Sequence, residues 1–389
     1  MLSNNTIALV KQSAPLLAQV GPEITQQFYR RLFFHHPDLK GIFNQSHQQS
    51  GKQPLALFSA LAAYAHYIDE PETLKTAITR INHKHVSLGI APEHYPIVGH
   101  HLIATLKAEF GEQFSHDIEQ AWQAAYQYLA DLFISAEHGL SETVAQQTGG
   151  WQGQREFTLM EVVNHTPSVK SFYLKPSNEG ALPNFAPGQF VSVFVPKEIA
   201  GLQQIRQYSL SAAAQHDYLR ISVKRDGQVS QYLHTLEPGA RLSLSAPAGD
   251  FTLNLNSKAK VYISAGVGIT PMLSMLATHK TQLTDIPAVF LHANRTAEEL
   301  GFADEILAAG QQISQFQYQY WLDSGGANAI QGTMALSSMR HRLPLQHGEF
   351  YLCGPVGFMA EIKAQLLALG VNPSHIFYEV FGPHENLPN

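Results

Sequence analysis

The pattern of hydrophobic positions divides the chain into three parts. In residues 1–146 the apolar side chains recur every three or four positions, which is the period of an amphipathic α-helix, and no segment alternates as a strand would. The clearest stripes are Ile24, Phe28 and Leu32; Leu57, Leu61 and Tyr64; and Trp122, Tyr126, Leu129 and Phe133. The first part is therefore predicted to be an all-α domain.

A polar, glycine-rich linker is predicted at residues 147–153, and a domain of short strands is predicted after it. Apolar and polar residues alternate there with period two, and Pro-Gly and Asp-Gly turns separate the alternating segments. These segments are residues 157–163, 189–195 and 219–224. The pattern predicts an antiparallel β-barrel over residues 154–256.

The third part, residues 257–389, begins with an apolar strand that runs into a glycine-rich turn. Strands then alternate with helices to the end of the chain, which is typical of an α/β domain with a parallel sheet. The chain is thus predicted to be multidomain: a helical domain, an antiparallel β-barrel and an α/β domain.

The composition of the chain restricts the partners and the compartment that these domains can be expected to have. The 389 residues are 44% hydrophobic and 14% charged, and the formal net charge is −6 without a long basic run, so nothing favours nucleic acid or an anionic membrane as partner. The single cysteine excludes an internal disulfide framework and fits a reducing cytoplasm. No apolar run approaches the roughly 18 residues that span a bilayer, and the N-terminus resembles an ordinary helix more than an export signal.

One histidine interrupts an apolar helical stripe. The stripe consists of Leu74, Ile78, Ile81 and His85, at relative positions i, i+4, i+7 and i+11. Gly89 and Pro92 predict the end of this helix just after the histidine. Taken alone, an inward histidine is more often a hydrogen-bonded core residue than a metal ligand, so both interpretations remain open at this point.

Other polar candidates lie on the same helical part. Glu137 continues the inner stripe of a late helix, and a carboxylate that faces a core needs a partner such as the ring N–H of a metal-bound histidine. The alternative is that Glu137 is solvated where its helix ends. Gln53 precedes Pro54, so we expect the next helix to begin at Pro54 with Gln53 outside it. His83 is interpreted as a surface residue.

The helical part resembles the globin domain of bacterial flavohaemoglobins. The residues that carry the resemblance are Tyr29, the Pro37…Phe43 corner, the Gln53/Leu57 pair, and the segment INHKHV at residues 81–86. The resemblance extends in order over the whole chain. It implies that His85 is the proximal ligand of a haem and is held through Glu137 and Tyr95.

The same resemblance implies roles on the other side of the haem. Tyr29 would donate a hydrogen bond to the ligand of the iron, and Gln53 and Leu57 would shape the distal wall. Lys84 matches a residue thought to tune the redox centres. We expect haem b, because the sequence has no C-x-x-C-H attachment motif.

The predicted barrel carries a candidate flavin site in the run RQYS. A flavin dinucleotide needs a cation for its pyrophosphate, an aromatic ring against the isoalloxazine and a hydroxyl near N5, and a single strand supplies all three here. Together with the flanking motifs, this run resembles the FAD domain of ferredoxin-reductase-type enzymes, although Phe190 replaces an expected tyrosine. The implied FAD contacts are Phe190, Arg206, Gln207, Tyr208, Ser209, Gly227, Val229 and Ser230.

The third part carries a candidate site for NADH or NADPH. Its pattern G-x-G-x-x-P lets a pyrophosphate approach the backbone at a helix N-terminus, and a Cys-Gly-Pro turn and the C-terminal tail complete the resemblance. Arg295 alone does not decide between the two nucleotides. The candidate contacts of the nucleotide are Gly266, Val267, Gly268, Ile269, Thr270, Pro271, Cys353, Gly354 and Pro355. The resemblance implies that the C-terminal tail returns to the flavin, with Phe381 against the ring and Glu379 near its redox-active edge. The candidate residues of the tail are Glu379, Val380, Phe381, Gly382 and Pro383.

The resemblance implies a nitric oxide dioxygenase that converts NO and O2 to nitrate with electrons from NAD(P)H. We expect a cytoplasmic monomer whose partners are these small molecules. Two alternatives stay open: an O2-storing or O2-sensing globin, and a reductase of flavins, quinones or ferric complexes with the globin as a sensor. The reductase part argues against storage, which needs only slow re-reduction of the iron.

Overall fold

The structure is a computed structural model that describes residues 2–44, 47–48, 50–214, 216–326, 329–382 and 387. Its N-terminal part is helical, as predicted. The helices are α1 Asn4–Val20, α2 Glu23–His35, α3 Lys52–His66, α4 Pro71–Leu88, α5 His94–Phe110 and α6 His116–Ala145. Short 3-10 helices lie at Pro37–Gly41 and Gly111–Gln113.

Local signals in the sequence set several of these helix ends. The side chains of Ser3 and Ser115 accept hydrogen bonds from backbone N–H groups in the first turns of α1 and α6. Gly89 ends α4 in the left-handed conformation, with φ 72°, which glycine adopts without steric cost. The predicted end of the histidine helix is therefore confirmed.

The predicted start of α3 is wrong. The helix begins at Lys52, two residues before Pro54, so Gln53 lies inside its first turn. The first N–H groups of a helix have no intrahelical acceptor, so the missing N–H of Pro54 costs no helical bond there. The carbonyl oxygen of Pro54 instead accepts a hydrogen bond of 2.7 Å from the Thr25 hydroxyl on α2.

One hydrophobic core joins the six helices' inner faces. Trp122 is almost fully buried in it, and its indole N–H donates to the Ser13 hydroxyl over 2.8 Å, which satisfies two buried polar groups at once. Other members are Val10, Leu17, Leu32, Ala65, Leu106 and Ala125. Within the described residues, no helix combines the length and the apolar character that crossing a membrane requires.

The second part is an antiparallel six-stranded sheet in the order β4-β3-β6-β1-β2-β5. A further antiparallel bridge joins Leu210, directly after β4, to Ile221 in β5, so the two edges of the sheet meet as in a barrel. The strands are β1 Gln154–Asn164, β2 Val169–Pro176, β3 Phe190–Val195, β4 Gln204–Ser209, β5 Leu219–Lys224 and β6 Arg241–Ser245. Two short helices accompany them, α7 Lys197–Ala200 and α8 Gln228–His234.

The third part is a parallel sheet in the order β10-β9-β8-β7-β11-β12, with separate hydrophobic cores on its two faces. The strands are β7 Lys260–Ala265, β8 Ala288–Thr296, β9 Phe316–Ser324, β10 Ile330–Gln331, β11 Glu349–Cys353 and β12 Ile376–Glu379. The helices are α9 Ile269–Gln282, α10 Ala303–Gly310 and α11 Val356–Ala368. Strand order reverses between β7 and β11, which is where sheets of this kind bind ligands.

Candidate haem and flavin sites

Three helices bring together a hydrogen-bonded group around His85. The Nδ1 atom of His85, in the last turn of α4, lies 2.8 Å from Oε1 of Glu137 on α6. The hydroxyl of Tyr95, on α5, donates to the same carboxylate oxygen over 2.6 Å and lies 3.0 Å from His85 Nδ1. Glu137 is 7% exposed and lies well inside α6, so it is not a solvated residue at a helix end.

The backbone of Tyr95 is also held in place, by a residue on α6. The Tyr126 hydroxyl donates to the backbone oxygen of Tyr95 over 2.7 Å, and the Tyr126 ring lies against Gly99 so closely that a Cβ atom at Gly99 would overlap it. Burial, together with the negative charge of Glu137, raises the pKa of Tyr95 well above its usual range. Tyr95 therefore remains a protonated donor to Glu137.

His85 fits the role of a haem ligand. Its Nδ1 atom is taken by Glu137 and Tyr95, and in the described part of the chain no group hydrogen-bonds to its Nε2 atom. A carboxylate on Nδ1 fixes the tautomer in which Nε2 carries the free lone pair, and this is the arrangement usual for a metal-bound imidazole. The apolar side chains of Phe133 and Ile81 border the network, as the haem edge requires.

Tyr29, which the resemblance expects on the distal side of the haem, lies on α2. It is 5% exposed and surrounded by the rings of Phe28, Phe33 and Phe43, at centroid distances of 5.0, 5.6 and 5.4 Å. Gln53 Nε2 donates to its hydroxyl oxygen over a long 3.5 Å. Burial raises the pKa of Tyr29 to about 12, so it stays a neutral donor. Leu57, half-buried, packs against the same core.

The other face of α4 contacts the reductase part. Lys84 Nζ donates to the carbonyl oxygen of Gly382 over 2.6 Å, and Gln207 Nε2 in β4 donates to the Ser87 hydroxyl over 2.7 Å. The backbone N–H of Gly249 donates to Nδ1 of His83 over 3.1 Å. The interpretation of His83 as a surface residue is therefore wrong, because the barrel covers this polar face.

Arg206 and Tyr208 lie on one face of β4, as their spacing predicts. The Arg206 guanidinium donates to the Gln204 side chain and to the Ile205 carbonyl, at 3.0 and 2.8 Å. Burial raises the pKa of Tyr208. Ser209 is buried and pairs with Phe190 across the strands. The side chain of Gln207, which is expected at the flavin, donates a hydrogen bond to the helical domain.

The candidate pyrophosphate turn precedes α8. Gly227 adopts a left-handed φ of 86° there, and Val229 is buried. The Ser230 hydroxyl accepts from the Asp226 N–H and donates to the Gly227 carbonyl, at 2.6 and 3.0 Å. Ser230 thus stabilises the turn with its side chain, which leaves the backbone N–H groups at the start of α8 as the donors for a phosphate.

The dinucleotide motif lies at the carboxyl edge of the parallel sheet, beside the reversal of strand order. Gly266, Val267 and Gly268 form a 3-10 turn that leads into Ile269, Thr270 and Pro271 of α9. A Cβ atom at Gly268 would overlap the backbone of Cys353, so glycine is required at this approach. Cys353 is fully buried before Gly354 and Pro355, and burial raises the pKa of its thiol.

The C-terminal tail follows β12, whose Glu379 pairs in register with Cys353. Burial raises the pKa of Glu379 to about 7, and the positive charge of Lys84 opposes this shift. Val380 is buried, whereas Phe381 is 46% exposed. Gly382 accepts the Lys84 hydrogen bond described above, and Pro383 lies outside the described residues.

Comparison with known proteins agrees with this order of domains. Residues 26–133 match the Globin family, residues 156–253 the oxidoreductase FAD-binding domain and residues 262–364 the oxidoreductase NAD-binding domain. A flavohaemoprotein of Vibrio cholerae is 44% identical over 100% of both chains, and one of Chromobacterium violaceum is 43% identical over 99% of both. The chain belongs to the flavohaemoprotein family.

Solved structures extend the comparison to three dimensions. A flavohaemoglobin of Malassezia yamatoensis, with bound FAD and haem, has a TM-score of 0.89 at 29% identity and is matched over 98% of this chain and 100% of that one. The FAD/NAD-binding domain of a Vibrio cholerae nitric oxide dioxygenase has a TM-score of 0.56 at 40% identity, over 59% of this chain and 99% of that one. The predicted three-part fold is thereby confirmed.

Among the residues that join the domains, the sequence analysis named Lys84, placed His83 on the surface and missed Arg80 and Ser87. Arg80, His83, Lys84 and Ser87 stand at i, i+3, i+4 and i+7, so they form a polar stripe on the side of α4 away from the haem-facing stripe. That spacing was visible in the sequence. Their partners in the barrel and in the tail could not be found by period, because those contacts exist only after the domains have docked.

Proposed function

We propose that the chain is an NAD(P)H-dependent nitric oxide dioxygenase that removes NO. In the balanced reaction, two NO, two O2 and one NAD(P)H give two nitrate ions, one NAD(P)+ and one proton. The observation that supports this most directly is the His85–Glu137–Tyr95 network, in a chain that also carries both reductase domains. A close relative of the reductase part is a nitric oxide dioxygenase from Vibrio cholerae.

Haem b, FAD and NADH or NADPH are the proposed cofactors. When bound, the flavin takes a hydride from the nucleotide and passes single electrons to the haem, whose iron is the place where NO and O2 are converted. We assign the iron to Nε2 of His85. We assign the flavin to Phe190, Arg206, Tyr208 and Ser209 and to the backbone of residues 227–230, with Gln207 behind it. The nucleotide is assigned to the turn at residues 266–271 and to Cys353.

On the proximal side, Glu137 accepts the Nδ1–H of His85, and Tyr95 holds Glu137 in place. A hydrogen-bonded carboxylate gives the imidazole more anionic character, and this increases the electron density that the ring donates. Such a ligand favours the activation of O2 over its storage. This is why we prefer the dioxygenase to the storage alternative.

On the distal side, Tyr29 offers its O–H to the substrate. Because its pKa is raised to about 12, the hydroxyl keeps its proton at neutral pH. Leu57 and the ring of Phe43 exclude water from this wall, which strengthens a hydrogen bond made there.

Glu379 is the proposed proton-holding group at the flavin edge. Its carboxyl is buried and its pKa is about 7, so near neutral pH it exists in both protonation states. Phe381, exposed next to it, is proposed to cover the isoalloxazine ring. Val380 is buried in the apolar cluster on one face of the parallel sheet, and Gly382 accepts the hydrogen bond from Lys84.

The chain is proposed to comprise a haem domain at residues 1–146, a linker at 147–153, an FAD domain at 154–256 and a nucleotide domain at 257–389. We further propose that it acts as a cytoplasmic monomer on dissolved NO and O2. The lone buried cysteine and the net charge of −6 support this setting.

The deciding experiment measures nitrate formed from NO and O2 by the purified holoprotein with NADH and, separately, with NADPH. We expect nitrate in twofold molar ratio to oxidised nucleotide, and a Soret band with flavin absorbance in the same protein. Rapid reduction of quinones or ferric complexes without any NO consumption would instead support the reductase with a sensing globin.

The flavin assignment has its own test. Arg206→Ala should lower the FAD content of the purified protein, because it removes the only cation of the RQYS run. Phe190→Tyr is the matched control, since it keeps the ring and should leave the FAD content near that of the wild type. Full flavin content in Arg206→Ala would refute the assignment.

A further inference from the structure

Arg80 contacts all three domains at once. It lies on α4 of the helical domain, and its Nε atom is 3.4 Å from Oδ2 of Asp250, which follows the last strand of the barrel. Its guanidinium carbon also lies 5.4 Å from the ring centroid of Tyr378 on β12 of the nucleotide domain. The side chains of Arg80 and Asp250 are only 15% and 20% exposed, so the ion pair is screened less than a surface pair.

The surroundings of Arg80 are not a continuous packed interface. A cleft of about 460 Å³ opens beside it at the junction of the three domains. It is lined by Thr73, Thr76 and Ala77 of α4, by Phe251 and Thr252 after the barrel, and by Ile376 and Phe377 of β12. The cleft interrupts the apolar packing at this junction. The contacts of Arg80 therefore contribute more to keeping the three domains at a fixed distance from one another.

Arg80 and its partners lie close in sequence to the residues assigned to the haem and to the flavin. Arg80 precedes His85 by five residues on the same helix. Tyr378 precedes Glu379, and Asp250 follows Gly249, which donates to His83. A shift of the reductase domains along α4 would therefore change the separation of the flavin site and the haem site. Electron transfer between two centres slows steeply as that separation grows.

We propose that Arg80 is a positioning residue that sets the rate of electron transfer from flavin to haem. This inference rests on the proposed function, because it requires both cofactors. NAD(P)H would supply two electrons and one proton to the bound flavin as a hydride. The electrons would pass one at a time to the ferric haem in two successive reductions, and the one net proton would go to solvent. Arg80 gives and takes neither electrons nor protons, and acts through the distance between the two sites. Its positive charge also opposes the rise in the pKa of Glu379, as that of Lys84 does.

The two contacts of Arg80, with the Asp250 carboxylate and with the Tyr378 ring, require a guanidinium group. A planar guanidinium can pair with a carboxylate at its edge and lie over an aromatic ring with its face, whereas an ammonium group is a compact point charge. Arg80→Lys should therefore preserve the charge but restore only part of the function. Tyr378→Leu should have a smaller effect than Asp250→Asn, since it removes the cation–π contact and leaves the ion pair.

The test is anaerobic stopped-flow spectroscopy of the holoprotein mixed with NADH, in which flavin reduction and haem reduction are followed separately. In Arg80→Gln we expect haem reduction to slow by about tenfold or more, on the scale of other small misplacements of reacting groups. The rates of flavin reduction and ferricyanide reduction should stay within about twofold of wild type, because the contacts of Arg80 lie outside the hydride-transfer site. Lys75→Gln is the matched control, because Lys75 is an exposed cation on the same helix.

Two further variants guard against a general loss of structure. Asp250→Asn should slow haem reduction in the same way with full haem and FAD content. The exchange Arg80→Asp with Asp250→Arg should recover part of the rate that Arg80→Asp loses, which a nonspecific packing role would not allow.

The proposal is overturned if haem reduction in Arg80→Gln and Asp250→Asn equals that of wild type, or if flavin reduction falls by the same factor as haem reduction. The readout involves no NO. A wild-type protein that reduces its haem but forms no nitrate would therefore refute the dioxygenase assignment, while the comparison of Arg80 variants would still decide this inference.

Discussion

The two walls of the haem pocket are built in different ways. On the proximal wall, His85, Glu137 and Tyr95 come from three helices and are joined at distances of 2.6 to 3.0 Å. On the wall proposed to be distal, Gln53 Nε2 and the Tyr29 hydroxyl oxygen are 3.5 Å apart, and aromatic rings contact Tyr29 more extensively than hydrogen-bonding groups do. The hydrogen-bonding groups of the proximal wall are therefore paired within the protein, whereas the proposed role of Tyr29 leaves its O–H for the substrate.

The difference follows from what each wall buries. A buried carboxylate is costly without partners, so Glu137 requires the donors that surround it. A buried neutral phenol is cheaper, because only one hydroxyl must be satisfied and the ring gains from apolar contact. A rigid proximal wall and an adaptable distal wall should therefore respond differently to substitution.

The largest effect should come from removing the proximal ligand. His85→Ala should abolish haem-dependent NO consumption, by more than about a hundredfold, because loss of an outer partner of a metal ligand alone costs about 10–100-fold. NADH oxidation by artificial acceptors should remain, since the flavin site lies in another domain. His138→Ala, an exposed histidine on α6, is the control. NO turnover at the wild-type rate with normally bound haem would show that His85 is not the ligand.

A smaller effect should follow when only the charge of the proximal network is removed. Glu137→Gln should lower the iron–histidine stretching frequency in resonance Raman spectra and slow NO consumption by about tenfold, since a neutral amide is a weaker acceptor for the Nδ1–H. Glu142→Gln, on the exposed end of the same helix, should change neither quantity. An unchanged frequency in Glu137→Gln would mean that the carboxylate does not act on the iron.

Substitutions in the distal wall should reduce NO consumption less than those in the proximal wall, and the two distal residues should differ in their effects. Tyr29→Phe removes the donor itself and should slow NO consumption several-fold. Gln53→Ala should slow it by less than about threefold, because its bond to Tyr29 is at the limit of hydrogen-bonding distance. If steady-state NO consumption falls more in Gln53→Ala than in Tyr29→Phe, the glutamine meets the substrate directly and the assignment of the two residues must be exchanged.

The smallest effect concerns pH. Burial raises the pKa of Tyr29 to about 12, so the phenol holds its proton until well above its usual value near 10. The ratio of wild-type to Tyr29→Phe activity should therefore stay constant between about pH 6 and pH 10. A fall of this ratio toward pH 10 would show that Tyr29 ionises normally and that the distal wall is wetter than the structure indicates.

Much of this architecture was visible in the sequence, because it depends on local period. The stripe that ends at His85 and the inward position of Glu137 on its helix both follow from helical geometry, and both positions are as predicted. Period two likewise located β3 and β5. The helical features depend on which face of the helix is buried, and that information is local. Both faces of β3 and β5 are buried, so their period-two pattern located the strands without indicating an exposed face.

The predictions that failed depend on contacts between elements. His83 is polar and lies away from the apolar stripe, so helical period places it on the surface, yet the barrel covers it. Gln207 stays a predicted flavin contact, but the hydrogen bond of its side chain to Ser87 could not be foreseen from the motif. Pro54 was expected to begin its helix, but the helix begins one half-turn earlier, where a proline can be accommodated. None of these outcomes is determined within a window of ten residues.

The proximal wall depends on Gly99, a residue outside the hydrogen-bonded network of His85, Glu137 and Tyr95. Its missing side chain makes room for the Tyr126 ring, which in turn carries a hydrogen bond to the backbone of Tyr95. Any larger residue at position 99 must displace that ring and, with it, the donor to Glu137. A mutation at position 99 would thus weaken the support of His85 indirectly, through Tyr126 and Tyr95.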